Sequence, residues 1–344
     1  MGKDTTTVLV TGAAGLIGSR FVDWLVSTRP EITIIGIDDL SGGYIENVNK
    51  LLLDNGRFYK MNAGDKEVAD IFKKHRPDIV YHMSAYAAEG TSPFIRKFNY
   101  TNNLVVTANI VNNCIAYDIK RLVFTSSMAV YGKGNPPFRE SDTPSPIDPY
   151  GIAKAACEAD IKVAGDHHKL DWCIIRPHNV YGIKQNIWDV YRNVLGIWLY
   201  NVFHNLPITI YGDGLQTRAF TYIDDILPCL WKAGTEERCS KQIFNLGGIK
   251  EVTILEAAQL VKKITGEKVD IVHLPARYEV KHAFSTWQKS VEYLGFKHVT
   301  SLEDGLKKMW EWAKQQPSRE RFVWTEYELD KGIYDYWKQE NIKK

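Results

Sequence analysis

Short runs of apolar residues alternate along the first half of the chain with longer segments in which apolar residues recur every three or four positions. The runs predict buried strands, and the longer segments predict helices. Strands are predicted over residues 8–11, 32–37, 58–61, 79–82, 122–125 and 172–175, and helices over residues 16–28, 66–74, 94–117 and 150–168. Since apolar residues occupy the strands continuously, both faces of the sheet are expected to be covered. The pattern predicts an α/β fold with a doubly wound parallel sheet.

The rhythm changes after residue 176, where a helix is predicted near residues 191–203 and shorter segments rich in Gly and Pro follow. We predict three parts. Residues 1–178 form the sheet domain, with late sheet elements from about 211–247. Residues 179–320 form most of a smaller lobe that binds the substrate, and residues 321–344 form an aromatic and charged tail.

The 344-residue chain has a formal net charge of +2, which gives no electrostatic basis for binding nucleic acid or a membrane surface. Its apolar runs fall short of the ~20 residues that span a bilayer, and its start shows no signal-peptide pattern. The five cysteines form no CxxC pair and show no metal-ligand spacing. We therefore expect a cytoplasmic protein with reduced thiols and no metal site.

A glycine-rich turn joins the first predicted strand to the first predicted helix, in the pattern Gly12-x-x-Gly15-x-x-Gly18. In such a unit Gly12 permits the tight turn, Gly15 lets the backbone approach a pyrophosphate, and Gly18 lets the helix pack on the strand. The first helical positions, Leu16 and Ile17, present the positive end of the helix to the phosphates. The turn predicts a dinucleotide site in a Rossmann-type fold.

An acidic pair follows the second predicted strand. Asp38 lies about 20 residues after Gly18, where a carboxylate can accept hydrogen bonds from both hydroxyls of a ribose. Asp38 and Asp39 would repel a 2′-phosphate, and no Lys or Arg directly follows them. Asp65, after the third strand, is a candidate for contact with the adenine, although an Asp before a helix is also a common N-cap. These residues predict NAD, rather than NADP, as the cofactor.

Tyr150 and Lys154 fit the pattern YxxxK, which other Tyr and Lys residues of the chain also match, so the setting matters. Tyr150 begins a helix after Pro149, and Ser127 follows the fifth predicted strand at the sheet edge where ligands bind. A cationic Lys154 one turn away is expected to lower the pKa of the Tyr150 phenol. Tyr150 would then take a proton from a sugar hydroxyl as hydride leaves the same carbon, and Ser127 would position that oxygen. The alternative is a core-facing tyrosine with a solvated lysine.

These motifs, in this order and with the run SMAVYG over residues 127–132, resemble the extended short-chain dehydrogenase/reductase superfamily. More closely, the chain resembles the NAD-dependent nucleotide-sugar epimerase/dehydratase family, and within it members like UDP-glucose 4-epimerase. The resemblance covers about residues 8–296. It implies that Ser127, Tyr150 and Lys154 are catalytic and that Lys154 also holds the nicotinamide ribose. It further implies a homodimer formed through the helices near residues 94–117 and 150–168.

The resemblance extends to the predicted substrate lobe. Residues 176–182 (RPHNVYG) resemble a segment whose Asn, here Asn179, contacts the sugar nucleotide. Residues 212–218 resemble a segment whose Arg, here Arg218, holds the substrate diphosphate, a role that guanidinium geometry suits. Residues 275–279 resemble a clamp that places Arg277 on phosphate and Glu279 on the nucleoside ribose. Taken alone, either arginine could equally form a surface ion pair.

Three departures from the family pattern bear on the reaction. Dehydratases carry an Asp-Glu pair directly after the catalytic Thr, where this chain has Met128 and Ala129. This difference argues against 4,6-dehydration by the usual route. Asp38 argues against the exchangeable NADP of a reductase, and Ala87 replaces a lysine found in some 4-epimerases, which leaves the sugar open.

The combined features predict a nucleotide-sugar epimerase that inverts C4 of a UDP-hexose, or a derivative, through a 4-keto intermediate with bound NAD. One alternative is another reaction of the 4-keto sugar, by an atypical dehydratase, a decarboxylase or a 2-epimerase. An alternative of a different class is a non-catalytic NAD-binding regulator. The retention of both Tyr150 and Lys154 argues against the regulator.

Overall fold

A computed structural model describes residues 5–266 and 269–338. The strands are β1 Thr7–Thr11, β2 Thr33–Asp38, β3 Phe58–Lys60, β4 Ile79–His82, β5 Arg121–Thr125, β6 Trp172–His178, β7 Val180–Tyr181, β8 Ile208–Tyr211, β9 Thr217–Ala219, β10 Thr221–Tyr222, β11 Gln242–Gly247, β12 Glu251–Thr253, β13 Ile271–Leu274 and β14 His282–Ala283. The α-helices are α1 Leu16–Thr28, α2 Lys50–Asp54, α3 Val68–His75, α4 Arg96–Tyr100, α5 Val106–Ala116, α6 Pro149–His168, α7 Val194–Phe203, α8 Ile223–Thr235, α9 Ile254–Thr265, α10 Gln288–Leu294 and α11 Leu302–Ala313.

A seven-stranded sheet with the order β11-β6-β5-β4-β1-β2-β3 organises the molecule, and all its pairings are parallel. Val8 of β1 lies opposite Ile34 of β2 on one side and Ile79 of β4 on the other. The strand order therefore reverses between β1 and β4, which opens a crevice at the carboxyl ends of these strands. The Rossmann-type fold expected from the sequence is confirmed.

Two apolar layers cover the sheet. Val8 and Val10 pack into one layer, whereas Leu9 packs into the other, and all three side chains are fully buried. Helices α1 and α8 contact each other in the first layer, and α5 contacts α3 and α6 in the second. Successive residues of a strand point to opposite faces, so both layers require apolar side chains at every position. This explains why the strands appear in the sequence as continuous apolar runs.

The smaller lobe is built from short strands that pair among themselves. They form β7 with β10, β8 with β13, and β9 with both β12 and β14. Of the late elements expected over residues 211–247, β11 joins the main sheet, whereas β9 and β10 pair within the lobe. Because β11 lies parallel to β6 over six residue pairs, the chain returns to the sheet after forming part of the lobe.

Two predicted helices differ from the structure. The single helix predicted over residues 94–117 consists of α4, a π-helical segment at Thr101–Val105, and α5. In the π segment Asn103 donates side-chain hydrogen bonds to the backbone of Tyr86 and Asn99, and such amides compete with regular helical bonding. The helix predicted from residue 191 begins at α7, because the side chain of Asn193 caps its first turn.

The C-terminal segment folds back over the molecule. We name residues 322–337 the C-terminal strap. Phe322 forms a β-bridge with Asp189, and the Glu328 carboxylate accepts hydrogen bonds from the first backbone N–H groups of α4. Its aromatic side chains join a separate apolar cluster with Tyr86, Phe94 and Tyr191. The strap thus connects the sheet domain to the smaller lobe.

No helix within residues 5–266 and 269–338 combines the length and apolarity that crossing a bilayer requires. The same ranges contain no cluster of three or more side chains able to hold a metal ion. All five cysteines lie in these ranges; each is buried, and none of them forms a disulfide.

Candidate functional site

A cavity of about 430 Å³ opens at the carboxyl ends of the sheet strands and extends under the smaller lobe. Of the residues assigned to the site from the sequence, those that line the cavity are Gly12, Gly15, Leu16, Ile17, Gly18, Asp38, Ser127, Tyr150, Lys154, Asn179, Arg218, Arg277 and Glu279. Asp65 does not line it. The fold therefore brings together residues that lie up to 267 positions apart, from Gly12 to Glu279.

The glycine-rich turn leaves the space that a pyrophosphate needs. A Cβ atom at Gly12, where φ is +73°, would lie 2.8 Å from the backbone nitrogen of Ser84. A Cβ at Gly18 would lie 2.1 Å from the carbonyl oxygen of Gly12. At Gly15 the closest atom would be 3.4 Å away, so this glycine faces open cavity. Helix α1 begins here without a side-chain cap, so its first N–H groups are available to phosphate oxygens.

Asp38 ends β2 beside this turn and is 9% exposed. Its carboxylate accepts hydrogen bonds from the backbone of Ala14 at 2.9 Å and of Leu40 at 2.8 Å. Burial raises the pKa of Asp38, and these two hydrogen bonds oppose that rise. A carboxylate fixed in this way at the cavity wall fits the hydroxyls of an adenosine ribose.

Asp65 occupies a different position from the one expected. Its carboxylate accepts a hydrogen bond from the backbone nitrogen of Asn62 at 3.0 Å and so closes a turn. Asn62 and Ala63 line the cavity in its place. Asp65 is not the N-cap of α3 either, because that position belongs to Glu67 and the Asp65 carboxylate binds a backbone nitrogen that precedes it.

Ser127, Tyr150 and Lys154 form a compact set at the other end of the dinucleotide site. Asp148 caps helix α6 by accepting from Gly151, and Pro149 occupies the first helical position, so Tyr150 lies in the first turn. The Ser127 hydroxyl lies near the Tyr150 phenol and lowers its pKa. Lys154 is 2% exposed, and its Nζ donates to the carbonyl oxygen of Thr125 at 2.8 Å. The structure thus brings the three side chains together in one cavity.

The pKa values of Tyr150 and Lys154 differ from those expected from the sequence. Burial raises the pKa of Tyr150, and the nearby carboxylate of Glu89 raises it further, whereas Ser127 lowers it. The expected lowering by Lys154 is absent. Burial instead lowers the pKa of Lys154 to about 8, and its Nζ lies 6.0 Å from the centre of the Tyr150 ring. The expectation was wrong because the low dielectric that surrounds both groups outweighs their mutual effect.

Glu89 is a site residue that the motif analysis did not identify. Its side chain is exposed to the cavity. There it interacts electrostatically with Tyr150 and with the two arginines Arg218 and Arg277. The surrounding walls and the carboxylate of Asp148 raise its pKa to about 7. Its place after β4, at the same sheet edge as Ser127, is the signal that could have identified it.

Two arginines mark the substrate side of the cavity. The Glu279 carboxylate accepts hydrogen bonds from Arg218 and from Arg277, both at 3.1 Å. Arg277 also lies over the ring of Tyr211 at 4.5 Å, and its Nε is buried without a partner among the described residues. Gln216 donates to the second oxygen of Glu279 at 3.3 Å. The pair is suited to a diphosphate, while Glu279 is engaged with its protein neighbours.

Asn179 and Met128 lie between the Tyr150 end and the arginine end. Asn179 adopts a left-handed conformation with φ of +41°, and its amide donates to Ala219 at 3.4 Å. Met128 lines the cavity next to Ser127, at the position where dehydratases have an acid. The C-terminal strap adds Tyr336 and Trp337 to the lining, neither of which any sequence motif indicated.

This fold and glycine-rich turn define a Rossmann-type, dinucleotide-binding α/β protein. A model of the NAD dependent epimerase/dehydratase family matches residues 8–247, which is more than half of the chain. The chain belongs to this family.

Individual relatives agree with that assignment. A putative UDP-glucose 4-epimerase from Methanocaldococcus jannaschii is 30% identical over 89% of this chain and 98% of its own length. The dTDP-D-glucose 4,6-dehydratase of Mus musculus is 30% identical over 91% of this chain and 90% of its own. The structure of UDP-glucose 4-epimerase from Thermotoga maritima with UDP-glucose is 31% identical. It superposes with a TM-score of 0.84 over 90% of this chain and 99% of that one.

Proposed function

We propose that this protein is a nucleotide-sugar 4-epimerase that acts on a UDP-hexose, or a derivative of one, with retained NAD. The observation that carries the proposal is the Ser127–Tyr150–Lys154 set at one end of a dinucleotide site whose other wall holds a diphosphate-binding arginine pair. The 4-epimerases among the relatives support it. We also propose that Leu16 and Ile17, at the start of helix α1, present its positive end to the phosphates of NAD.

Each residue contributes one step. Tyr150 takes the proton of the sugar 4-hydroxyl, and Ser127, whose hydroxyl lies near the phenol, orients that oxygen. NAD, when bound, supplies a hydride acceptor that can return the hydride to the opposite face of C4. Lys154 stays anchored on Thr125 and holds the nicotinamide ribose. Because burial raises the pKa of the phenol, Tyr150 must give up its own proton before it can act as the base, and its phenolate is then a strong base for the sugar hydroxyl.

Substrate binding at the far end leaves the sugar free to turn. Arg218 and Arg277 hold the diphosphate, and their attachment to Glu279 fixes both guanidinium groups before substrate arrives. The 4-keto sugar, tethered through the diphosphate, can then rotate and present its other face to the same Tyr150. The net redox change is zero, because the hydride taken from C4 is returned to it, so the cofactor need not leave.

A second candidate is another reaction of the 4-keto sugar, and the position of Glu89 is the observation that favours it. A carboxyl with a pKa of about 7 close to Tyr150 can remove or deliver a proton at a carbon next to the ketone. Met128 and Ala129 replace the acids that family dehydratases use, which argues against the usual 4,6-dehydration. A non-catalytic regulator would not require the intact set of Ser127, Tyr150 and Lys154.

We further propose that the protein works in the cytoplasm as a homodimer, with residues 1–178 serving the cofactor, 179–320 mainly the substrate, and 321–344 forming a tail. Three apolar side chains are exposed on the helices expected at the dimer surface: Val105 at 57%, Ile152 at 44% and Val163 at 53%. Burial of such side chains favours association. Size-exclusion chromatography with light scattering tests this; a monomeric mass at micromolar concentration would contradict it.

The mechanism is tested by Tyr150→Phe. The variant should lose interconversion of UDP-glucose and UDP-galactose, read by NMR without added cofactor, while it retains NAD. Tyr293→Phe is the matched control, because Tyr293 has the same spacing to Lys297 but does not line the cavity. Near-normal turnover by Tyr150→Phe would refute the mechanism. Dehydrated, decarboxylated or C2-inverted products in a wider panel of sugar nucleotides would support the second candidate instead.

A further inference from the structure

We propose that Arg192 binds the pyrophosphate of NAD and closes the cofactor site from the side of the smaller lobe. The proposal rests on the NAD site of the proposed function, but not on the reaction. No sequence motif pointed to Arg192, which lies between the β-bridge residue Asp189 and helix α7.

The position of Arg192 corresponds to the middle of a bound dinucleotide. In any dinucleotide the pyrophosphate lies between the two riboses. Asp38 marks the adenosine ribose, and Tyr150 with Lys154 marks the nicotinamide ribose. The positive charge of Arg192 acts on both ends, since it lowers the pKa of Asp38 and of Tyr150. Arg192 therefore lies within electrostatic range of both ribose positions.

Contacts with the loop that lies on the glycine-rich turn support this position. A Cβ at Gly42 would lie 2.5 Å from Nη2 of Arg192, so the guanidinium touches this loop. A Cβ at Gly43 would lie 2.3 Å from the carbonyl oxygen of Ala14, so the same loop lies on the turn that carries Gly15. Arg192 thus faces the glycine-rich turn across a single layer of backbone.

The guanidinium is held in place with its outer donors available. Its Nε donates to the Asp189 carboxylate at 2.9 Å, and its plane lies 4.7 Å from the ring centre of Tyr86. Trp324 of the C-terminal strap donates to the Tyr86 hydroxyl at 3.0 Å. Neither Nη1 nor Nη2 has a hydrogen-bond partner in the described part of the chain, and Arg192 lines the cavity. Two parallel donors on a fixed fork match the oxygens of a phosphate.

The other cationic side chains that line the cavity already have hydrogen-bond or ion-pair partners in the protein. Among the described lining residues they are Lys154, bound to Thr125, and Arg218 and Arg277, both bound to Glu279. A pyrophosphate carries two negative charges next to the acidic Asp38. The partial charge of helix α1 offsets only about half of one charge. Among the described residues that line the cavity, Arg192 is the remaining cation, and its positive charge would offset the rest of the negative charge of the pyrophosphate.

The experiment measures cofactor binding rather than turnover. Removing the guanidinium alone would leave Asp189, which is 3% exposed, buried without its partner. The test variant is therefore the double change Arg192→Met with Asp189→Asn, and Asp189→Asn alone is its control. Cofactor-free protein is titrated by calorimetry with NAD and with ADP-ribose, and adenosine is measured by ligand-observed NMR. Unfolding temperature without ligand reports whether each variant is folded.

We expect the double variant to bind NAD and ADP-ribose about 10- to 100-fold more weakly than Asp189→Asn, with adenosine affinity unchanged. Arg277→Met should leave NAD affinity unchanged and weaken UDP. Equal affinities for NAD in the double variant and its control would overturn the proposal. So would an equal loss for adenosine, which indicates a structural role.

The failure of this proposal is distinguishable from the failure of the proposed function. If no UDP-sugar is epimerised but the double variant loses NAD affinity, the function is wrong and the Arg192 contact stands. If Tyr150→Phe abolishes epimerisation but NAD affinity is independent of Arg192, the contact is wrong and the function stands.

Discussion

Replacing Lys154 by methionine should stabilise the cofactor-free protein while it destroys the site. Lys154 is 2% exposed, and its ammonium group lies 4.6 Å from the ring centre of Phe124. A charged group in such surroundings has lost most of its hydration. Methionine has similar length and no charge, so it can fill the same space. Lys154 is therefore a residue that the proposed reaction requires and that lowers the stability of the fold.

The size of that cost follows from the pKa. Burial lowers the pKa of Lys154 from 10.5 to about 8. A difference of about 2.5 in pKa, at about 1.4 kcal/mol for each, gives about 3 kcal/mol for burying the charged form. Methionine loses the hydrogen bond to the Thr125 carbonyl, which offsets about 1–2 kcal/mol. We expect the variant to be more stable by about 1–2 kcal/mol at pH 7.

The pH dependence has a definite sign. In the unfolded chain Lys154 loses its proton near pH 10.5, but in the folded protein it does so near pH 8. The unfolded state binds more protons between these values, so the stability of the parent protein rises with pH across this window. Lys154→Met lacks this contribution. Its advantage should be largest below pH 8 and should shrink as the pH approaches 10.5.

Urea unfolding at pH 7 and pH 9.5, on protein freed of NAD, measures the effect directly. Cofactor must be removed because a ligand that binds the folded state adds stability of its own. Lys162→Met is the control, since Lys162 lies on the same helix but does not line the cavity. A variant less stable than the parent at pH 7, or an advantage independent of pH, would refute the reasoning.

Two further changes test the fold around the site. Glu158→Gln should lower the free energy of unfolding by about 3–5 kcal/mol in urea, because it breaks the buried 2.6 Å ion pair with Arg176. Glu303→Gln, at an exposed pair, is the control, and comparable losses would contradict the argument. Gly18→Ala should abolish NAD binding in calorimetry, because its Cβ would lie 2.1 Å from the Gly12 carbonyl oxygen. Normal affinity would show that the turn can shift without loss.

The parts of the site that could be predicted are those in which neighbouring residues of the chain carry the function. Gly12, Gly18 and Asp38 belong to one strand–turn–helix–strand unit, so their spacing alone implies their geometry. Tyr150 and Lys154 are related by one turn of helix α6. In both cases local structure determines how the residues are placed. The alternation of strands and helices likewise predicted the parallel sheet.

The parts that could not be predicted depend on contacts between distant segments. Glu89 approaches Tyr150 only because β4 and β5 end side by side, and Arg192 reaches the loop at Gly42 from the other lobe. The pKa of Tyr150 also escaped prediction, since spacing shows which charges are near but not how deeply a group is buried. Asp65 illustrates the reverse case, because a carboxylate that suited the adenine binds its own turn instead.

The C-terminal strap explains how the two lobes can act as one enclosure for the cofactor. Its backbone pairs with Trp188 and Asp189 in the smaller lobe, while Glu328 caps a helix of the sheet domain. Tyr86 and Asp189, the two side chains that hold Arg192, therefore both contact the strap. A guanidinium fixed from two lobes loses little further freedom when it binds phosphate. Such a site favours a cofactor that stays in place, which is what a reaction that removes and restores the same hydride requires.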